Sequence, residues 1–69
     1  MMSKENKLPA KNDRIIVNGW EDILVKVNYV EWVSAEARYK INLDWGTFGF
    51  SHVYDHDEGD IWRRFLEVN

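Results

Sequence analysis

Residues 35–45, AEARYKINLDW, alternate between apolar and polar side chains along their whole length. This period of two is typical of a β-strand that is buried on one face only. A short helix beginning at Ser34 is the alternative, because Ser often caps helices and Ala-Glu-Ala-Arg favours helix. The apolar spacing of two, rather than three or four, favours the strand. Its apolar face would consist of Ala35, Ala37, Tyr39, Ile41, Leu43 and Trp45.

The segment before this strand predicts a β-hairpin. In residues 14–20, RIIVNGW, Asn18 and Gly19 stand between two apolar runs. This dipeptide is the strongest short-range indication of a two-residue type I′ turn, because both turn positions need a positive φ. One strand would therefore cover residues 14–17, and the next would begin near Trp20.

Residues 22–33, DILVKVNYVEWV, predict a long strand that is rich in β-branched residues. The apolar side chains form two sets on opposite faces, and they change from one face to the other near the end of the strand. Such a change indicates a bend or bulge, as in small barrels. The first set is Ile23, Val25, Val27 and Tyr29, and the second is Leu24, Val30 and Trp32.

The C-terminal third predicts two further strands. After a turn at Gly46, residues 48–54, FGFSHVY, are expected to be extended, with Phe48, Phe50, His52 and Tyr54 on one side. Residues 55–60, DHDEGD, predict a turn in which Gly59 has a positive φ. Residues 61–68, IWRRFLEV, would form the fifth strand.

These elements predict a mainly β domain of five short antiparallel strands over residues 14–69, either an SH3-like barrel or a curled meander. Residues 1–13 are polar, contain the only proline, and are expected to form a disordered basic leader. The chain has 69 residues and no cysteine, which bounds it to one domain without disulfides. No apolar run is long enough to span a membrane, and the start has no secretory signal, so we expect a cytoplasmic location.

The charge distribution argues against a protein that binds a phosphate backbone. Residues 1–14 hold four basic and two acidic side chains, a net of +2, whereas residues 15–69 hold five basic and ten acidic side chains, a net of −5. Binding along a nucleic acid backbone needs a basic stripe. The negative charge of the predicted domain is also weak for mimicry of a DNA duplex.

Residues 52–60 contain many potential metal ligands in an unsuitable pattern. On an extended strand His52 and His56 would lie about 13 Å apart, too far to share a zinc ion. Counted from Asp55, the positions of the glycine and the twelfth residue do not match a calcium-binding loop. Ser51 and His52 would point to opposite faces and cannot form a nucleophile–base pair. We therefore expect no metal, no cofactor and no enzymatic activity.

The aromatic content indicates a binding surface. Four Trp, three Tyr and three Phe are too many for the interior of so small a domain, so some are expected to form an exposed patch. The candidate patch residues are Trp45, Phe48, Phe50, Tyr54 and Trp62, flanked by Arg63 and Arg64. The candidate acidic rim consists of Asp55, Asp57, Glu58 and Asp60.

Residues 43–65, LDWGTFGFSHVYDHDEGDIWRRF, resemble segments of small accessory proteins of tailed phages. The resemblance implies a non-enzymatic protein of host takeover or counter-defence that acts in the host cytoplasm, usually by binding a host protein. It carries over no catalytic or binding residue.

Together these observations predict a protein-interaction module, an inhibitor or adaptor, whose aromatic patch binds a host protein. The alternative is a nucleic-acid or nucleotide binder, including a nucleotide sponge, that uses the same aromatic rings as stacking platforms. A homodimer formed through an open sheet edge is also compatible with so small a fold.

Overall fold

The computed structural model describes residues 8–65, which form one five-stranded antiparallel sheet. The prediction of a mainly β domain is therefore confirmed. No helix in this part of the chain has the length and apolar character needed to cross a membrane. The strands are β1 (Arg14–Val17), β2 (Val25–Val33), β3 (Arg38–Asp44), β4 (Phe50–Tyr54) and β5 (Trp62–Arg64). The predicted continuation of β5 over residues 66–68 lies outside the described residues.

The sheet is a curled meander rather than a closed barrel. Its strand order is β4-β3-β2-β1-β5, so that β5 returns to pair with β1 and the two edges are β4 and β5. We call the gap between these edge strands the seam. The indole Nε1 of Trp62 in β5 crosses the seam and donates a hydrogen bond of 2.8 Å to the carbonyl oxygen of Tyr54 in β4. The curl brings the two edges close together without forming a ladder between them.

The inner face of the sheet forms the hydrophobic core. Each strand sends alternate side chains inward, as the period of two requires. Trp62 is the largest fully buried side chain, with 1% of its surface exposed, and it buries the most apolar area of any core residue. The predicted place of Trp62 in an exposed patch is therefore wrong. The core consists of Ile15, Val17, Val25, Val27, Ile41, Leu43, Val53 and Trp62.

A β-bulge in β2 changes which side chains face the core. The register with β3 shifts between Val27, opposite Leu43, and Tyr29, opposite Asn42. The extra residue, Asn28, reverses the alternation, so that Val30 comes to the inner face and packs against the core, while Tyr29 faces outward. The predicted bulge exists, but it lies in the middle of the strand rather than near its end.

The connection between β1 and β2 is longer than the predicted two-residue hairpin. The amide of Trp20 donates to the carbonyl of Val17, and of the two turn residues only Gly19 has a positive φ, 90°. These features are those of a type II turn, which needs a positive φ at its third position only. The chain then turns again, with Ile23 N–H donating to Trp20 O, before β2 begins at Val25.

The strand predicted over residues 35–45 begins later than expected. Its first residues belong to the turn between β2 and β3, in which the amide of Glu36 donates to Val33 O and the amide of Ala37 to Ser34 O. Ala37 has a φ of 55°, which ends the turn and starts β3 at Arg38. Neither the strand nor the helix predicted for residues 34–37 is correct, although the alternation from residue 39 to residue 45 is.

Residues 8–13 contact the sheet instead of forming the expected disordered leader. The amide of Asn12 donates to Val27 O, and the amide of Val27 donates to Asp13 O, at 2.8 Å each. Pro9 is buried. The predicted domain boundary at residue 14 thus moves toward the N-terminus, and the rest of the predicted leader, residues 1–7, lies outside the described residues.

An apolar groove along the seam

An apolar groove with a volume of about 500 Å³ opens along one half of the seam. Ligand-binding clefts in proteins typically have volumes of about 300–1,000 Å³. Its walls come from β4, from the β1–β2 and β3–β4 connections, and from the residue before β5. The lining residues are Val17, Trp20, Ile23, Trp45, Phe48, Phe50, Ser51, His52, Val53 and Ile61.

Local hydrogen bonds and ring contacts fix the two tryptophans of the groove. The indole of Trp45 donates from Nε1 to Ser51 Oγ at 2.6 Å, which ties the end of β3 to β4. The ring of Trp20 meets that of Trp45 edge-to-face, with centroids 6.2 Å apart. Such a pair is worth about 0.5–1.5 kcal/mol beyond the area it buries. The groove therefore has one preorganised aromatic wall.

The other aromatic residues of the groove are strongly exposed. Phe48 lies in the short 3₁₀ helix Gly46–Phe48 and is 75% exposed, Phe50 begins β4 and is 67% exposed, and Trp20 is 58% exposed. Single exposed apolar side chains are ordinary, but a contiguous group of aromatic rings around a cleft marks an interaction site. The groove is therefore the candidate binding surface of the described residues.

Four carboxylates are sequence neighbours of lining residues, and we call them the groove carboxylates: Glu21, Asp22, Asp44 and Asp60. Within residues 8–65 none of the four forms an ion pair, although Lys26 lies opposite Asp44 on the neighbouring strand. The backbone N–H of Gly19 donates to Glu21 Oε2 at 3.0 Å, and this bond, helped by the more distant Arg63, lowers the pKa of Glu21.

Three of the predicted patch residues meet in the groove. Trp45, Phe48 and Phe50 line it together. Trp62 does not, because its side chain is inside the core. Tyr54 lies at the other end of β4 on the outer face, where the guanidinium of Arg38 stacks 3.5 Å from its ring centroid. The Arg38 Nε–H donates to Glu36 Oε1 at 3.0 Å, and this bond is the main cause of the raised pKa of Arg38. The charged guanidinium therefore makes a cation–π contact with the Tyr54 ring.

The predicted acidic rim is mostly occupied by hydrogen bonds within the chain. Asp55 Oδ1 accepts from the amide of Tyr39, and Asp57 Oδ2 accepts from the amide of Tyr54. Glu58 pairs with Arg64 through two contacts of 2.8 and 3.3 Å. These residues stabilise the closed half of the seam. Asp60 alone belongs to the groove carboxylates.

The two arginines predicted to flank the patch occupy different places. Arg64 is half-buried beside Glu58, with its guanidinium 5.9 Å from the Trp62 ring centroid. It helps to line a smaller cavity of about 280 Å³ at the closed half of the seam, next to Pro9 and His56. Arg63 is exposed and pairs in register with Ile16 on the outer face. Neither arginine lines the apolar groove.

The sequence reasoning missed seven of the ten groove residues, among them the large apolar side chains of Trp20, Ile23 and Ile61. Trp20 was expected to begin a strand, because the Asn18 and Gly19 pair was interpreted as a tight hairpin. A tryptophan directly after a turn glycine, followed by two acidic residues, was the available indication of an exposed loop. No comparable local pattern marks Ile61, whose place depends on how β5 returns to β1.

No metal-binding cluster of three or more His, Asp or Glu side chains occurs among residues 8–65. His52 packs edge-to-face on Tyr54 with ring centroids 5.3 Å apart, while His56 lies 4.0 Å from Asp55. No protein-family model matches the chain, and comparisons with curated proteins and with solved structures find no significant match.

Proposed function

We propose that this protein is a non-enzymatic interaction module that binds a partner protein through the apolar groove. The observation that carries the proposal is the cluster of exposed rings, Trp20, Phe48 and Phe50, around a single apolar cleft. Tryptophan and other large aromatic side chains at the centre of a contact supply much of the binding energy at protein interfaces.

The physical basis of binding is desolvation of the groove together with electrostatic steering. A partner side chain that enters the groove removes apolar surface from water, which contributes roughly 25 cal/mol per Å² buried. The groove carboxylates draw a positively charged partner toward the site and disfavour acidic competitors. Because the Trp20–Trp45 contact already fixes these two rings, they lose little conformational entropy when a partner binds.

In the cell the module would act as an inhibitor or an adaptor. Steric occlusion of the partner's own binding surface is the simplest mechanism for a chain of 69 residues. The resemblance of residues 43–65 to phage accessory proteins extends the proposal to a host protein as the partner and the host cytoplasm as the place of action.

The test is affinity capture with a groove variant and a matched control. Phe50→Ser removes a groove ring that is 67% exposed, and Tyr29→Ser removes a ring that is 49% exposed on the outer face. Both variants should keep the native near-ultraviolet circular dichroism. We expect the wild type and Tyr29→Ser to capture the same protein stoichiometrically from a lysate of the cells that produce the chain, and Phe50→Ser to lose it.

Equal capture by Phe50→Ser and the wild type would place the interaction elsewhere on the surface. The eluate should also be analysed for small molecules. A nucleotide or oligonucleotide that co-purifies with the wild type, is lost with Phe50→Ser and quenches tryptophan emission would replace the proposal by the stacking alternative.

A further inference from the structure

The outer edge of β4 offers backbone hydrogen-bonding groups along the groove. β4 is an edge strand that pairs only with β3 in the described sheet. The amide of Trp45 donates to Gly49 O, so the backbone groups of Gly49 point toward β3. Because these groups alternate in direction along a strand, those of Ser51 and Val53 also point toward β3, whereas those of Phe50 and His52 point toward the seam.

The other end of β4 confirms this alternation. The N–H of Tyr54 donates to Asp57 Oδ2 at 3.2 Å, and its carbonyl oxygen accepts from the Trp62 indole at 2.8 Å. Tyr54 therefore also directs its backbone groups toward the seam, where they are satisfied within the chain. Within residues 8–65, the N–H groups of Phe50 and His52 have no acceptor.

The free edge and the apolar groove are parts of one surface. Ser51 and Val53 lie opposite the core residues Leu43 and Ile41, so their side chains share the inner face of the sheet. Phe50 and His52 alternate with them and also line the groove, which therefore follows the free edge of β4. A strand added beside β4 would send alternate side chains to the same face. Those side chains would enter the groove between Trp45 and Ile61, while the backbone of the added strand pairs with Phe50 and His52.

The charges around this surface select the occupant. The four groove carboxylates adjoin its lining residues in the sequence, and the lining itself contains no Lys or Arg. The nearby basic residues are Lys26, opposite Asp44, and Arg63, which acts on Glu21, so carboxylates outnumber them. A second copy of the chain would bring the same carboxylates into apposition, which like-charge repulsion disfavours. An extended segment that carries Lys or Arg between apolar residues complements both the charge and the cleft.

We propose that the groove receives an extended, basic segment of a partner protein, which adds to the sheet as a sixth strand beside β4. This inference rests on the proposed function and specifies its mode of recognition. Hydrogen bonds between the two backbones contribute affinity that does not depend on the partner's side chains. The apolar side chains that enter the groove supply specificity.

Three panels of blocked peptides with alternating apolar residues test the charge preference. The peptides have about nine residues, a usual strand length. The intervening positions carry Lys and Arg, Ser and Thr, or Asp and Glu. We expect the basic panel to bind the full chain at least about tenfold more tightly than the acidic one. Its affinity should fall as salt rises, because the Debye length shortens from about 10 Å at 0.1 M to about 3 Å at 1 M.

Backbone pairing is tested from both sides of the proposed interface. Methylation of alternate peptide nitrogens that face β4 removes the donors of the added strand and should weaken binding at least about tenfold, whereas methylation of the intervening nitrogens should not. On the protein, His52→Pro removes an outward N–H that the β3 ladder does not use, a position where an edge strand tolerates proline. His52→Ala keeps the N–H and is the matched control.

The expected result is that His52→Pro binds the basic peptides at least about tenfold more weakly than His52→Ala, since both variants lose the imidazole that lines the groove and only His52→Pro loses the N–H. Protection of the Phe50 and His52 amides from hydrogen exchange should appear only in the complex. If His52→Pro fails to fold, the binding of the methylated peptides to the wild-type protein tests whether the peptide backbone pairs with β4.

The inference and the proposed function fail in different ways. If peptides bind through Phe50 but tolerate every backbone methylation, or if the acidic panel binds as well as the basic one, the added strand is wrong and the groove remains an interaction site. Absence of binding by all panels at about 1 mM also overturns the added strand. The proposed function falls only if Phe50→Ser captures the same partner as the wild type. A concentration-dependent dimer that blocks the β4 amides would identify a second copy as the occupant instead.

Discussion

The two halves of the seam use the same pair of edge strands in opposite ways. In the closed half, Tyr54 has both backbone groups bonded, Asp57 and Trp62 supply the partners, and Glu58 pairs with Arg64. In the open half, Phe50 and His52 direct their backbone groups into the groove, and the surrounding rings are exposed. The closed half therefore stabilises the curl of the sheet, whereas the open half leaves binding capacity at the surface.

The difference arises from the residues that follow each end of β4. Beyond Tyr54 the chain turns back through the short 3₁₀ helix Asp55–Asp57, which places polar side chains where the edge needs them. Before Phe50 the turn contains Phe48, whose side chain has no polar group that could form a hydrogen bond with the backbone of the β4 edge. Exposed edges of this kind are usually paired or protected in proteins, and the open half is where the proposed partner strand would pair.

The largest effect is expected from Trp62→Ala, which removes the side chain that joins the two edges. Truncation of a buried tryptophan costs about 3–5 kcal/mol, a large part of the stability of a small domain. We expect cooperative urea unfolding to be lost or its midpoint to fall sharply. Trp62→Phe keeps most of the packing and loses the bond to Tyr54 O, so it should cost less than Trp62→Ala. Equal costs would contradict the packing account.

Gly59→Ala should have the next largest effect, because it strains the turn of the closed half. Gly59 has a φ of 92°, and its N–H donates to Trp62 O at 2.7 Å. A residue with a Cβ at such a φ costs roughly 1–2 kcal/mol. Urea denaturation measures the change, with Thr47→Ala, an exposed position in the open half, as the comparison. An unchanged midpoint would show that this turn does not hold the seam.

Phe50→Ser should leave stability nearly unchanged while it abolishes binding. The side chain is 67% exposed, and substitutions at such positions usually shift the free energy of unfolding by no more than about 0.5 kcal/mol. Thermal unfolding of the variant and of Tyr29→Ser should give the same midpoint as the wild type. A loss comparable to that of Gly59→Ala would mean that the open half supports the fold as well, and the comparison would no longer hold.

The smallest effect concerns acid pH at the groove. The hydrogen bond that the Gly19 N–H donates is the main reason why the pKa of Glu21 in the folded chain is lower than that of an ordinary glutamate. A carboxyl whose pKa is lower in the folded state stabilises the folded protein at pH values above the pKa of the unfolded state. This stabilisation is lost as the pH falls through the pKa of the folded state. Urea midpoints below pH 5 should therefore depend less on pH in Glu21→Gln than in the wild type. Asp22→Asn serves as the control, because this neighbouring carboxylate does not accept the Gly19 bond. Identical profiles for Glu21→Gln and the wild type would contradict the role of that bond.

The sequence predicted those parts of the fold that depend on local patterns. The strand at residues 14–17, the alternation from Tyr39 to Trp45, and the positive φ of Gly59 all follow from neighbours along the chain. The position of the bulge at Asn28 does not, because either face of β2 offers apolar residues. Only pairing with β3 decides which face becomes the core.

The candidate site was predicted in part for the same reason. Phe48 and Phe50 line the groove as expected. No local pattern decides whether Ile61, just before β5, or Trp62, its first residue, is buried, because the strand has only three residues. The choice depends on the return of β5 to β1, which brings together residues far apart in the sequence. The role of Trp20 was missed because a type II turn and a type I′ turn share the same Asn-Gly letters.

The groove carboxylates have a consequence for the colloidal behaviour of the protein. Their negative charges repel a second molecule and so oppose self-association through the exposed β4 edge and the exposed aromatic rings. Near the isoelectric point of about 5.2 the net repulsion between molecules vanishes, and carboxylate protonation on further acidification weakens this protection. Preparations of the protein should therefore be most prone to reversible clustering in mildly acidic, low-salt buffers, with the β4 edge as the first point of contact.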